Sequence, residues 1–128
     1  MESEPLRRST CPIAYALELF GDRWTLLVLR DLLLRGRRRY AELLAAEEGI
    51  ATNVLADRLR RLETRGFLRK VADPADARRF LYRPTAAALD LVPILVEMIA
   101  WGMRSGGGGD RAFLERAERD RDGLILEI

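Results

Sequence analysis

The sequence predicts a mainly α-helical protein with a small β-hairpin, an α+β winged helix-turn-helix carrying further helices at its N- and C-terminal sides. Three observations between Arg39 and Arg83 predict it: two short helix-patterned stretches flank a glycine turn, the second stretch is apolar on one face only, and two strand-like runs follow around a proline-containing turn. In Tyr40-Ala-Glu-Leu-Leu-Ala-Ala-Glu47, Leu43 and Leu44 can face a core, and Glu48-Gly49-Ile50 breaks the helix where Gly49 supplies the backbone freedom of a sharp turn. A second helix begins near Thr52. Its Leu55, Leu59 and Leu62 recur on one face and leave Asn53, Asp57, Arg58, Arg60, Arg61 and Thr64 directed away from the core. Gly66 ends it. Phe67–Ala72 and Phe80–Arg83 have the β-branched and aromatic content of strands, with Asp73–Arg79 as the connecting loop.

Upstream, Pro12 opens a first helix running to Phe20, and Asp22 is placed to cap a second, Arg23–Leu34, which is apolar around most of its circumference and is expected to be the central buried helix. Trp24 on it is read as a core or interface anchor. Downstream, Thr85 can cap a long helix from Ala86 to about Met103, with Leu89, Val92, Val96, Ile99 and Met103 as an apolar stripe suited to pairing with a second copy of the chain. Pro93 should kink that helix or split it in two. Residues 1–105 are thus expected to form the winged domain with its dimerisation helices. Residues 106–128 follow Ser105-Gly-Gly-Gly-Gly109 as a linked tail, with a short helix around Phe113, Leu114 and Ala117 and a short strand at Leu124-Ile-Leu126.

Composition narrows the function. The 128 residues contain no histidine and one lysine, Lys70, which removes the commonest general base and metal ligand and every Ser-His or Cys-His arrangement. No phosphate-cradling or dinucleotide motif is present, so an enzyme is not expected, nor a cofactor or metal site. One cysteine, Cys11, excludes an internal disulfide. The net charge is only +2, yet residues 35–83 hold thirteen basic residues against seven acidic ones. That concentration is the footprint of a polyanion-binding surface, although a solvated arginine-rich helix face has the same composition. No signal-like N-terminus and no uninterrupted apolar run of membrane-spanning length is evident, so a cytoplasmic protein without membrane contact is expected.

With these elements placed, the chain resembles the HxlR-like family of bacterial transcriptional regulators, relatives of the MarR winged-helix group. The landmarks run from Cys11-Pro12 through Gly21-Asp-Arg-Trp24, Arg39-Tyr-Ala-Glu-Leu43, Gly49-Ile50, Leu55-Ala-Asp-Arg-Leu-Arg-Arg-Leu-Glu63 and Gly66 to Trp101-Gly102. The resemblance implies a homodimeric DNA-binding repressor or activator, dimerised through its N- and C-terminal helices, that reads double-stranded DNA with the helix Thr52–Arg65 and touches flanking phosphates with the wing. The chain departs from the family pattern at Ala51, where relatives place a serine or threonine, and in the tail from Gly106 onward.

The candidate DNA-binding residues follow from groove chemistry. Thr52, Asn53, Asp57 and Arg58 occupy the N-terminal half of the second helix, where asparagine can pair with adenine and arginine with guanine. Arg60 and Arg61 suit phosphates. Arg78 and Arg79 suit backbone contact from the wing tip, and Arg39 joins the set at the entry to the helix-turn-helix. A two-fold dimer would read a pseudo-palindromic operator. Cys11, before Pro12 and near Arg7 and Arg8, is either a packed core residue or a thiol that senses oxidants or electrophiles, which would make a redox or small-molecule effector part of the mechanism. The alternative function is a protein-interaction module on the same scaffold without DNA binding.

Overall fold

The computed structural model of the protein describes residues 10–128. Helix α1 (Pro12–Phe20) carries Pro12 in its first turn, as its sequence predicts. Helix α2 (Arg23–Leu33) starts at Asp22, whose carboxylate accepts the Trp24 and Thr25 N–H groups at 3.0 and 3.2 Å. Such a cap contributes about 0.5–2 kcal/mol. Val28, Leu29 and Leu32 of α2 are buried with Leu43 of α3 (Tyr40–Leu44) and with Leu55, Leu59 and Leu62 of α4 (Thr52–Thr64). Trp24 packs half-buried against this core, with the Arg23 guanidinium 5.0 Å from its ring centre.

Helix α3 is shorter than its pattern predicts. It stops at Leu44, and the chain turns through Gly49, which sits at φ +75°, a conformation that strains any residue with a Cβ. The reason lies in Glu47 and Glu48, which leave the helix to meet cations of the α2 end: Arg30 grips Glu48 with two hydrogen bonds of 2.7 and 2.9 Å, and Arg35 grips Glu47 at 3.0 and 2.9 Å.

Strands β1 (Leu68–Asp73) and β2 (Asp76–Pro84) form a two-stranded antiparallel sheet, with Leu68 opposite Pro84 and Ala72 opposite Phe80. The register then slips so that Asp73 meets Asp76. The connection is therefore Pro74-Ala75 alone, not the longer loop to Arg79, and Arg78 and Arg79 lie on β2 beside the irregularity. The buried Asp73 carboxylate closes this turn by accepting the Ala75 N–H at 2.9 Å. The Tyr82 N–H donates to the Arg38 carbonyl at 2.8 Å and ties the wing to the entry of α3.

Pro93 splits the long C-terminal helix, one of the two outcomes its position allows, into α5 (Ala86–Leu89) and α6 (Val92–Arg104), with the proline in the first turn of α6. An 18-residue window of Ala86–Arg104 has a mean hydropathy of 1.7 and the length to cross a bilayer, although Asp90 and Glu97 interrupt it, as the sequence reading requires. Part of its apolar surface is used within the protein: Val92, Leu95, Val96 and Ala100 are buried.

The tail is folded onto α6. Helices α7 (Arg111–Arg119) and α8 (Arg121–Glu127) bring Ala117 and Leu124 into a second core with Val92, Val96 and Ala100. Leu124-Ile-Leu126 is helical, which corrects the strand expected there: a strand needs a partner for its ladder, whereas Asp120 accepts the Gly123 N–H at 3.1 Å and starts a helix. The glycine segment turns tightly, the Gly107 N–H donating to the Gly102 carbonyl at 2.7 Å.

Candidate nucleic-acid interface

Helix α4 is anchored by Leu55, Leu59 and Leu62 and presents Thr52, Asn53, Ala56, Arg60 and Arg61 on its exposed surface. Its N-cap is Ala51, so no side chain caps it, one of the two outcomes that the departure from the family pattern allows. The Tyr40 hydroxyl donates to the Thr52 carbonyl at 2.9 Å and fixes the start of α4 against α3.

Arg58 does not point outward. Its Nε donates to Asp22 Oδ2 at 2.8 Å and its Nη1 to Asp57 Oδ2 at 2.6 Å, leaving the side chain 18% exposed. This turns Arg58 away from the outward-facing position expected of it; helical spacing cannot register a carboxylate at the start of another helix. Asp57 is also a hub, with Arg60 at 3.2 Å and Arg61 at 3.5 Å from its oxygens. It orders the arginines of α4 and is half-buried among them.

On the wing, Arg78 is 91% exposed and Arg79 is also exposed, each with its Nε 3.4 Å from Asp76. Arg39 is turned to the wing, its Nε 2.8 Å from Asp73 Oδ2. A cleft of about 370 Å³ opens between the start of α3 and the wing, lined by Arg39, Tyr40, Ala41, Arg79, Phe80 and Tyr82. Two further wing cations lie outside the candidate site expected from the sequence. Arg69 and Arg83 are cross-strand partners, both exposed, and neither makes an ion pair among the described residues. Like charges set opposite each other disfavour the hairpin unless an anion lies between or beside them. Strand alternation with the correct register would have found the pair.

The expected dimer stripe is divided. Val92 and Val96 face the protomer's own second core, Val96 at 0% exposure, which corrects their assignment to a partner. Ile99 and Met103 are half-buried and Leu89 is exposed. The large apolar side chains left at the surface of α6 are Ile94, Met98 and Trp101, the last 65% exposed, and α1 exposes Ile13, Tyr15 and Leu17. Cys11 is the N-cap residue of α1 and is exposed rather than packed in the protomer's core; Arg7 and Arg8 lie outside the described residues.

Several carboxylates are held ionised by these contacts. At Asp22, burial opposes the charge but is outweighed by hydrogen bonds from the Thr25 hydroxyl, Arg58 and the Trp24 N–H, so its carboxyl lies well below the usual range. Arg30 lowers Glu48, Arg35 holds Glu47 down to about 2, and Arg39 with the Ala75 N–H lowers Asp73. Among the described residues no group of three or more His, Cys, Asp or Glu side chains could hold a metal ion.

The HxlR-like helix-turn-helix family profile matches residues 19–108. The chain belongs to the HxlR-like family. An HTH-type transcriptional regulator of Synechocystis is 39% identical over 88 residues, covering 69% of this chain and 64% of that protein. One of Mycobacterium tuberculosis is 41% identical over 90 residues, 70% of this chain and 56% of that protein. The matches thus span about six tenths of the length of these curated relatives. Among solved structures, the candidate transcription factor PA1607 superposes with a TM-score of 0.70 at 33% identity over 80% of this chain and 70% of its own. The Bacillus subtilis regulator YodB in its reduced form gives 0.61 at 28% identity over 80% and 100%, and its quinone-bound form 0.59 at 27% over 73% and 99%.

The depressed carboxylates of this HxlR-like chain set its acid stability. An Asp22 or Glu48 that is more acidic folded than unfolded contributes stability that is complete above the unfolded pKa, about 4, and is lost as pH falls through the lower folded value. Thermal unfolding followed by circular dichroism between about pH 5 and pH 2 should therefore show a falling midpoint. Asp22→Asn, which keeps a capping side chain but not the charge, should show a shallower fall; equal slopes would mean that ionisation of Asp22 contributes nothing.

Proposed function

We propose that the protein is a sequence-specific DNA-binding transcriptional regulator that acts as a homodimer, with α4 in the major groove and the wing on flanking backbone. The observation that carries this reading is the exposed face of α4, with Thr52 and Asn53 near its uncapped N-terminus and Arg60 and Arg61 further along, set beside a wing bearing Arg78 and Arg79. A helix entering the major groove needs this division, apolar face inward and hydrogen-bonding side chains near the N-terminal end outward. Membership of a helix-turn-helix family and relatives named as transcriptional regulators support it. Asn53 is the base reader in this scheme. Thr52 and the wing arginines hold phosphate, and Arg39, Asp57 and Arg58 order the cations around them.

Selection of bound fragments from a random DNA pool should enrich a pseudo-palindrome with half-sites about one helical turn, roughly 10 bp, or a multiple of it apart. Asn53→Ala should cost about 1–3 kcal/mol on that operator and relax preference at particular base positions. Arg78→Ala should weaken all sequences evenly and flatten the salt slope by about one unit. Enrichment of no sequence, with binding insensitive to salt, would sink the reading.

For the dimer, the exposed residues Met98 and Trp101 of α6 and Ile13 and Leu17 of α1 are the apolar surface a second copy would cover. Met98→Asp should give a folded monomer by light scattering and circular dichroism, whereas Val96→Asp should unfold the protein by burying a charge. A Met98→Asp variant that remains a dimer places the interface elsewhere.

A thiol effector is the finer part of this proposal. Cys11 is exposed at the start of α1, and a structural relative has been solved with quinone bound. Cys11→Ser should leave DNA affinity nearly unchanged and abolish any change in binding on mild quinone or peroxide treatment. An identical response in the variant rules this thiol out as the switch.

A further inference from the structure

Helix α4 is attached to the core by three leucines, whose hydrophobic contacts are non-directional. Directional restraints lie at the two edges of that apolar face. At one edge the Tyr40 hydroxyl holds the Thr52 carbonyl at 2.9 Å. At the other, with successive residues about 100° apart around the axis, stands Arg58, fastened to Asp22 at 2.8 Å. Asp22 is itself immobilised: Oδ2 accepts the Trp24 and Thr25 N–H groups and Oδ1 accepts the Thr25 hydroxyl at 2.6 Å, with Thr25 buried. Its backbone is fixed from the other side, because α1 closes so tightly on Gly21 that a Cβ there would collide with the Leu17 carbonyl oxygen.

We infer that Asp22 is a positioning residue for DNA reading: the carboxylate that caps α2 also holds Arg58, and so fixes the roll of α4 that aims Asn53 and its neighbours outward. The inference rests on the DNA-reading role proposed above. Arg58 passes the restraint along α4 as well, since its Nη1 bonds Asp57, the carboxylate that gathers Arg60 and Arg61. A roll of α4 by a fraction of a turn would move Asn53 off a base edge while leaving long cations able to reach phosphate. Loss of the clamp should therefore reduce discrimination more than affinity for DNA in general.

The test uses the full chain and a double-mutant cycle, with the operator found by fragment selection and a scrambled duplex as reference. Asp22→Asn retains a good capping residue and Arg58→Gln retains a hydrogen-bonding side chain, so helical content by circular dichroism should be unchanged. Each variant should lose about tenfold in operator affinity, and the double variant should lose no more than the worse single one. Scrambled-DNA affinity should stay within about twofold of wild type, a pattern that simple loss of folded protein cannot produce. Multiplying losses, or an unchanged ratio of operator to scrambled affinity, would overturn the positioning role alone. A wild-type protein that enriches no sequence would overturn the functional reading and this inference with it.

Discussion

The burial of α2 is the constraint on which the other contacts depend. Val28, Leu29 and Leu32 leave that helix almost no solvent face, so its polar groups must be satisfied within the protein. Asp31, 2% exposed, is the severe case: a buried carboxylate without partners costs several kcal/mol. It is met by Arg30 at 3.0 Å, Arg35 at 3.1 Å and, more distantly, Arg37 at 3.7 Å. Arg30 and Arg35 then reach onward to Glu48 and Glu47. Compensation of one buried charge in the core helix thereby fixes the turn between α3 and α4, which sets the angle at which α4 leaves the body.

The same chemistry divides the arginines. Counted along the sequence, they give the segment 35–83 a basic excess, but Arg35, Arg39 and Arg58 are committed to Glu47, Asp73 and Asp22. The positive surface is carried by Arg60, Arg61, Arg65, Arg69, Lys70, Arg78, Arg79 and Arg83, all exposed. Even here Asp57 and Asp76 sit between neighbours, so that arginines crowded on one helix or strand are spaced by a carboxylate rather than repelling one another. Arg69 and Arg83 lack such a spacer. In the proposed function, a phosphate approaching the wing relieves a repulsion already present there.

Much of the fold was legible because its signals are local. Pro12 and Asp22 mark helix starts by their own backbone chemistry, Gly49 marks a turn, and Leu55, Leu59 and Leu62 define a buried face without reference to anything outside α4. The errors lie where a distant partner decides. Leu124-Ile-Leu126 has strand-like composition, yet no strand lies beside it among the described residues, and the Asp120 cap starts a helix there. The wing turn is shorter than its composition suggests because Asp73, an ordinary loop aspartate in sequence, is held by the distant Arg39 while it closes the turn on Ala75.

The candidate site was legible to the same degree and for the same reason. Thr52 and Asn53 are exposed where the periodicity puts them, since nothing beyond α4 competes for them. Arg58 satisfies that pattern equally well, yet a carboxylate 36 residues earlier in the chain takes it. Helix α6 presents the opposite ambiguity. It is apolar on more than one side, and periodicity alone cannot say which side a neighbour covers; the answer comes from Ala117 and Leu124, which claim Val92 and Val96 and leave Met98 and Trp101 outside. The tail thus does more than follow the winged domain. By burying one face of α6 it determines which apolar face remains for a second copy, and in the proposed dimer that choice would set the separation and angle of the two α4 helices across the DNA.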